Sequence, residues 1–93
     1  MIFVELVQWS EPTMQFKKFN KSIVKRIDKL RQEKGLSWIK LAYVSDVSKS
    51  ALSEIKNGMA EARFSTLCKI AIGLNMTPKE FFNFDIDVSE LDI

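Results

Sequence analysis

From Ser48 to Asn57 the chain sets hydroxyls, an ammonium, a carboxylate and an amide at helical spacing: Ser48, Lys49, Ser50, Ser53, Glu54 and Asn57. Leu52 and Ile55 fall between them, so one side of a helix here is apolar and Lys49, Ser50, Ser53 and Glu54 occupy the other. The chemistry open to such a set is hydrogen bonding. A lysine, serines and a carboxylate are the kinds of donor and acceptor that read base edges in a DNA major groove. Covalent and metal chemistry have little to work with. The chain has no histidine and one cysteine, Cys68, which leaves no internal disulfide, no tetrahedral zinc set and no Cys–His or Ser–His pair. No enzymatic activity, cofactor or metal is expected.

The residues just before this set are the ones that must position it. In WIKLAYVSDVSKSALSEIKN, Trp38 to Asn57, Leu41 and Ala42 lie on one short helix, Val47 follows a polar turn, and Leu52 and Ile55 repeat on the next helix. This is a helix-turn-helix pattern, and the small Ala42 side chain lets the second helix cross close to the first. Charge agrees with it. Residues 1–18 are neutral overall, residues 19–83 hold twelve Lys and Arg against six Asp and Glu, and residues 84–93 carry only acids. A basic middle segment suits a polyanion, although charged residues also simply solvate helix faces.

Ninety-three residues, 46% hydrophobic and 28% charged, predict one compact domain. No apolar run approaches the ~20 residues that span a bilayer and no targeting region precedes the first apolar residues, so a cytoplasmic protein without membrane contact is expected. Helices are expected from an Asn20 cap to about Lys34, with Ile23, Val24, Ile27 and Leu30 inward and Gly35 as the stop. Two more follow caps at Ser37 and Ser48, the second ending at Gly58. A fourth starts at Ser65 or Thr66 with Leu67, Ile70, Ala71 and Leu74 inward, and Thr77-Pro78-Lys79-Glu80 opens a fifth as a capping box. Ile2, Val4 and Leu6 alternate in a run ending at Trp9 and Pro12, which reads as a strand or extended arm. Such an arm would pair with the alternating Phe84-Ile86-Val88 tail, a second subunit or another protein; the alternative is that both ends are unstructured.

Three segments, RIDKLRQEKGLS, LAYVSDVSKSALSEIKNG and FSTLCKIAIGLNMTPKEFF, resemble in order and spacing the XRE family, the phage Cro and lambda-repressor type of helix-turn-helix domain. The likeness runs from about Ile23 to Phe82, two-thirds of the chain. It implies an all-α fold of five helices, here with a short N-terminal extended arm, and a homodimer on a palindromic double-stranded operator. The corresponding division is an arm over 1–18, the helix-turn-helix domain over 19–84 and an acidic tail over 85–93. Lys49 and Ser50 match positions at which the family contacts base edges or the adjoining backbone. Asn57, Lys56 and Arg63 match positions near the DNA backbone, where phosphate contacts fix register. Ser48 joins them as a cap whose helix N-terminus favours a phosphate. Glu54 either accepts from cytosine N4 or pairs with Lys49 or Lys56.

Three residues depart from the family pattern. Trp38 stands where a Gln commonly contacts phosphate; the indole N–H offers one donor, and the ring is expected to pack beside the first helix or on the sugar–phosphate backbone. Asp46 replaces a turn Gly, and Lys56 replaces a Glu, which removes an internal ion pair and adds positive charge near DNA. Cys68 reads as a partly buried hydrophobe, Lys25, Lys29 and Lys34 as a solvated stripe, and at least one of Phe81, Phe82 and Phe84 as part of a dimer contact. The function expected is a sequence-specific transcriptional regulator, a repressor that works by occupancy. The alternative is an antitoxin-like or adaptor protein whose partner binds through the N-terminal arm.

Overall fold

The computed structural model describes residues 17–87. Five helices make up this part: α1 (Lys17–Glu33), α2 (Trp38–Ser45), α3 (Lys49–Lys56), α4 (Phe64–Gly73) and α5 (Pro78–Phe81). No strand occurs among the described residues. Residues 1–16 of the N-terminal arm, with its expected strand, and the tail from Val88 lie outside them.

Apolar periodicity decides which face each helix buries. Ile23, Ile27 and Leu30 of α1 meet Leu41 and Ala42 of α2, Leu52 of α3, Leu67, Ile70 and Ala71 of α4, Leu74, and Phe81 of α5 in one core. Ile55 is buried beside it, and Val47, between α2 and α3, packs against its edge. Each large aliphatic side chain so buried contributes about 1.5–3 kcal/mol relative to exposure.

Hydroxyl caps start three of the helices. Ser37 Oγ accepts from the Lys40 amide at 3.0 Å, and Ser48 Oγ accepts from the Ala51 amide at 3.1 Å. At α5 Thr77 Oγ1 accepts from the Glu80 amide at 3.1 Å while the Glu80 carboxylate accepts from the Thr77 amide at 2.9 Å, a complete capping box with Pro78 in the first turn.

The first four helices stop alike, on a left-handed residue: Gly35, Asp46, Gly58 and Asn75. After α3 the Met59 amide donates to Glu54 O at 2.8 Å and the Gly58 amide to Ile55 O at 3.1 Å. This is the paired closure of a Schellman motif. The same pattern follows α2, where Val47 N donates to Ala42 O at 3.0 Å and Asp46 N to Tyr43 O at 3.3 Å. Asp46 takes the conformation at φ 56°, one that few residues besides Gly and Asn accept without a large steric cost.

α5 is held from a distance. Arg26 Nε donates to Phe81 O and its Nη2 to Glu80 O, each at 2.9 Å, and the guanidinium lies 5.2 Å from the Phe84 ring centre. The end of a four-residue helix is thereby bonded to the middle of α1.

Local details differ from the sequence reading in three places. α1 is already helical at Lys17, inside the segment assigned to the arm, so Asn20 lies within the helix and is not its cap. α4 begins at Phe64 with Arg63 as its boundary residue and no side-chain cap, one or two residues before the hydroxyls of Ser65 and Thr66. Residues 84–87 do not form a strand. Instead Phe84 and Ile86 pack on the core, and the Asp87 amide donates to Ser22 Oγ at 3.0 Å, laying this stretch along α1.

Candidate nucleic-acid interface

The geometry of this face starts at the bend between α2 and α3. Leu41 and Ala42 are buried, Asp46 reverses the chain, Val47 turns inward and Ser48 opens α3, so only Asp46, Val47 and Ser48 separate the two helices. α2 is itself seated tightly. A β-carbon built on Gly73 of α4 would fall 2.9 Å from Ser45 Cα and clash with the Ser45 hydroxyl, so α2 and α4 touch almost backbone to backbone. Gly73 is required there by lack of space.

With α2 fixed, the burial of Leu52 and Ile55 sets the rotation of α3. Ser48, Lys49, Ser50, Ser53, Glu54 and Asn57 are all exposed. The Ser48 oxygen is engaged as the cap, which leaves its O–H to donate outward. The Lys49 and Ser50 amides precede the first intrahelical donor, so the α3 N-terminus presents free N–H groups where an anion is favoured. Asn57 Nδ2 donates to Ser53 Oγ at 3.3 Å, tying these two side chains into one unit.

Glu54 forms no ion pair with a described cation. Of its two expected partners, Lys56 is directed elsewhere and Lys49 does not reach it. The carboxylate is left facing solvent, where it can accept from a base and repels phosphate.

Trp38 is half-buried and its ring contacts two cations. The Arg31 guanidinium of α1 lies 4.8 Å from its ring centre and Lys56 Nζ of α3 lies 5.1 Å from it. Arg31 is fixed in turn, with Nη1 donating to Leu36 O at 3.0 Å and Nη2 paired with Asp28 at 2.7 Å. Two departures from the family pattern, Trp38 and Lys56, therefore meet in space. A cation–π contact worth about 0.5–1 kcal/mol at an exposed site joins these two helices. The ring packs beside α1, as one of the sequence expectations had it.

A hollow of about 310 Å³ brings Trp38 and Ile39 of α2 together with Lys49, Leu52, Ser53 and Lys56 of α3. A second, of about 550 Å³, joins Ile39, Tyr43 and Asp46 to Ser48 and Lys49. Arg63 is exposed at the start of α4 with no side-chain hydrogen bond to that helix. Sequence reasoning did not single out Ile39 and Tyr43. They sit four apart on α2, 65% and 81% exposed, a spacing that could have marked an outward face.

Known proteins share this fold. A helix-turn-helix family model, HTH_3, matches residues 27–81. The fold is similar to that of an HTH_3 family transcriptional regulator from Vibrio cholerae, at a TM-score of 0.62 and 36% identity over 69% of this chain. This chain spans 36% of that protein's length. It is also similar to the restriction-modification controller protein C.AhdI from Aeromonas hydrophila, at a TM-score of 0.59 and 30% identity over 66% of this chain and 92% of that one. No curated protein sequence matches.

Proposed function

Since the chain belongs to the HTH_3 helix-turn-helix family, we propose that it is a sequence-specific regulator of double-stranded DNA that places α3 in the major groove. The observation that carries this reading is the exposed row of Lys49, Ser50, Ser53 and Glu54 on a helix whose rotation is locked by buried Leu52 and Ile55. Lys49 and Ser50, in the first turn, are the base-reading residues. Ser48, Asn57 and Arg63 hold phosphate, and Trp38 positions Lys56 and supports the α2 end of the site.

The regulator works as a homodimer. Phe64 and Ile72 are 69% and 68% exposed and stand two turns apart on α4, with Cys68 between them. A surface of this kind favours a second copy. Two α3 helices about 34 Å apart then enter successive major grooves of a palindromic operator, and occupancy excludes competing proteins. Repression is the simplest outcome of that occupancy.

The test is fluorescence anisotropy with the duplex upstream of the gene. Lys49→Ala and Ser50→Ala are each expected to lower specific affinity by about 1–3 kcal/mol and to relax discrimination at the base they read. If both variants discriminate between operator and scrambled duplex as the parent does, α3 is not the reading helix. For the dimer, Phe64→Ser with Ile72→Ser is expected to yield monomers by analytical ultracentrifugation; an unchanged dimer places the interface elsewhere.

A further inference from the structure

A groove of about 480 Å³ runs between α1 and the end of α3, lined by Lys17, Asn20, Lys21, Val24 and Lys25 on one side and Lys56, Asn57 and Gly58 on the other. We propose that this groove is a second phosphate track, which holds the DNA backbone beyond the bases that α3 reads. The inference rests on the DNA-binding reading above and extends it to residues of α1.

Three observations support the assignment. Among the described residues no carboxylate lines the groove, and none of its four lysines is ion-paired with a described acid. Their charges are uncompensated on a surface whose other polar groups, Asn20 and Asn57, bring amide donors. The spacing also suits a strand of DNA. Lys17, Lys21 and Lys25 follow one another at four-residue steps, about 6 Å each along the helix, so the row covers about the rise of three or four phosphates of one strand.

The third observation is continuity. Lys56 touches the Trp38 ring and Asn57 touches Ser53, so the groove adjoins the α3 face through bonded neighbours. A backbone leaving the reading face at Asn57 meets the α1 lysines next. Contacts of this kind carry no sequence information. They add affinity to operator and non-operator DNA alike and steepen the salt dependence.

The experiment compares the parent with Lys21→Ala/Lys25→Ala by anisotropy, on the upstream duplex and on a scrambled duplex of equal length, across 50–200 mM salt. The log–log salt slope is expected to become shallower by about 0.9 for each lysine removed per bound protomer. Affinity for both duplexes falls by the same factor, and Lys21→Arg/Lys25→Arg restores the slope. The substitutions lie on an exposed helix face and introduce a strong helix former, so the fold is retained, which a circular dichroism melt checks. A slope unchanged in the alanine variant while the parent binds its operator overturns the track alone. If the parent binds neither duplex, the DNA reading falls and takes the track with it.

Discussion

At the scale of single residues, interior positions and exposed positions make different demands. Ser45 is 4% exposed and its hydroxyl has no hydrogen-bond partner among the described residues. A buried unsatisfied hydroxyl costs about 1–3 kcal/mol, so Ser45→Ala is expected to raise stability by about 1 kcal/mol in urea denaturation. Glu54 is the outward counterpart. Glu54→Gln keeps an acceptor but removes the charge, and is expected to tighten binding to scrambled DNA more than to operator, which competition anisotropy reads out. The inward positions Leu41, Ala42, Leu52 and Ile55 were legible because periodicity reports which side of a helix is apolar. The isolation of Glu54 was not. Its candidate partners lie within a few residues in sequence, and the contact that engages Lys56 instead, the Trp38 ring, comes from another helix.

Among the elements, what was readable follows the range of the interaction. The caps at Ser37, Ser48 and Thr77 act over three residues and could be found by inspection. The start of α4 could not, because Arg63 bounds the helix without a side-chain bond, and hydroxyls further on made a misleading signal. Nor could the attachment of α5, which depends on Arg26 from 55 positions earlier in the chain. Arg26→Ala removes two charge-assisted hydrogen bonds to α5 and is expected to cost about 2–3 kcal/mol of stability, with Arg26→Lys recovering part of it. Gly73→Ala is also expected to destabilise, since α2 would have to move off α4 to admit a methyl group. In that variant DNA affinity falls together with thermal stability, whereas Lys49→Ala lowers affinity alone. The chain leaves the helix after Phe81, which lies in the core, and Phe82 and Phe84 both pack edge-on against that ring, Phe82 also stacking on Phe64 and Phe84 lying by the Arg26 guanidinium.

For the whole molecule, pH and association are the measurable variables. The Glu80 carboxyl is held below its ordinary value of 4.5 chiefly by the Thr77 amide, then by the Thr77 hydroxyl, with Lys34 acting in the same direction. A depressed carboxylate pKa means that this contribution is fully present above the unfolded value and is lost as pH falls through the folded one. Thermal melts are therefore expected to show a loss below about pH 4.5 that Glu80→Gln reduces. The XRE resemblance and the five-helix order are both visible in the sequence, because the family's three segments lie at their usual spacing. The groove between α1 and α3 was not visible, since Lys17 and Lys21 become neighbours of Lys56 only once the helices cross. That crossing also gives the protein an optical property. Trp38 is one of two tryptophans, and its indole is in contact with both a cation fixed to α1 and a cation carried by α3. A duplex that draws Lys56 toward its phosphates changes the electric field across the ring, so with Trp9→Phe as background the emission of a single native fluorophore becomes a label-free clock for the docking of α3.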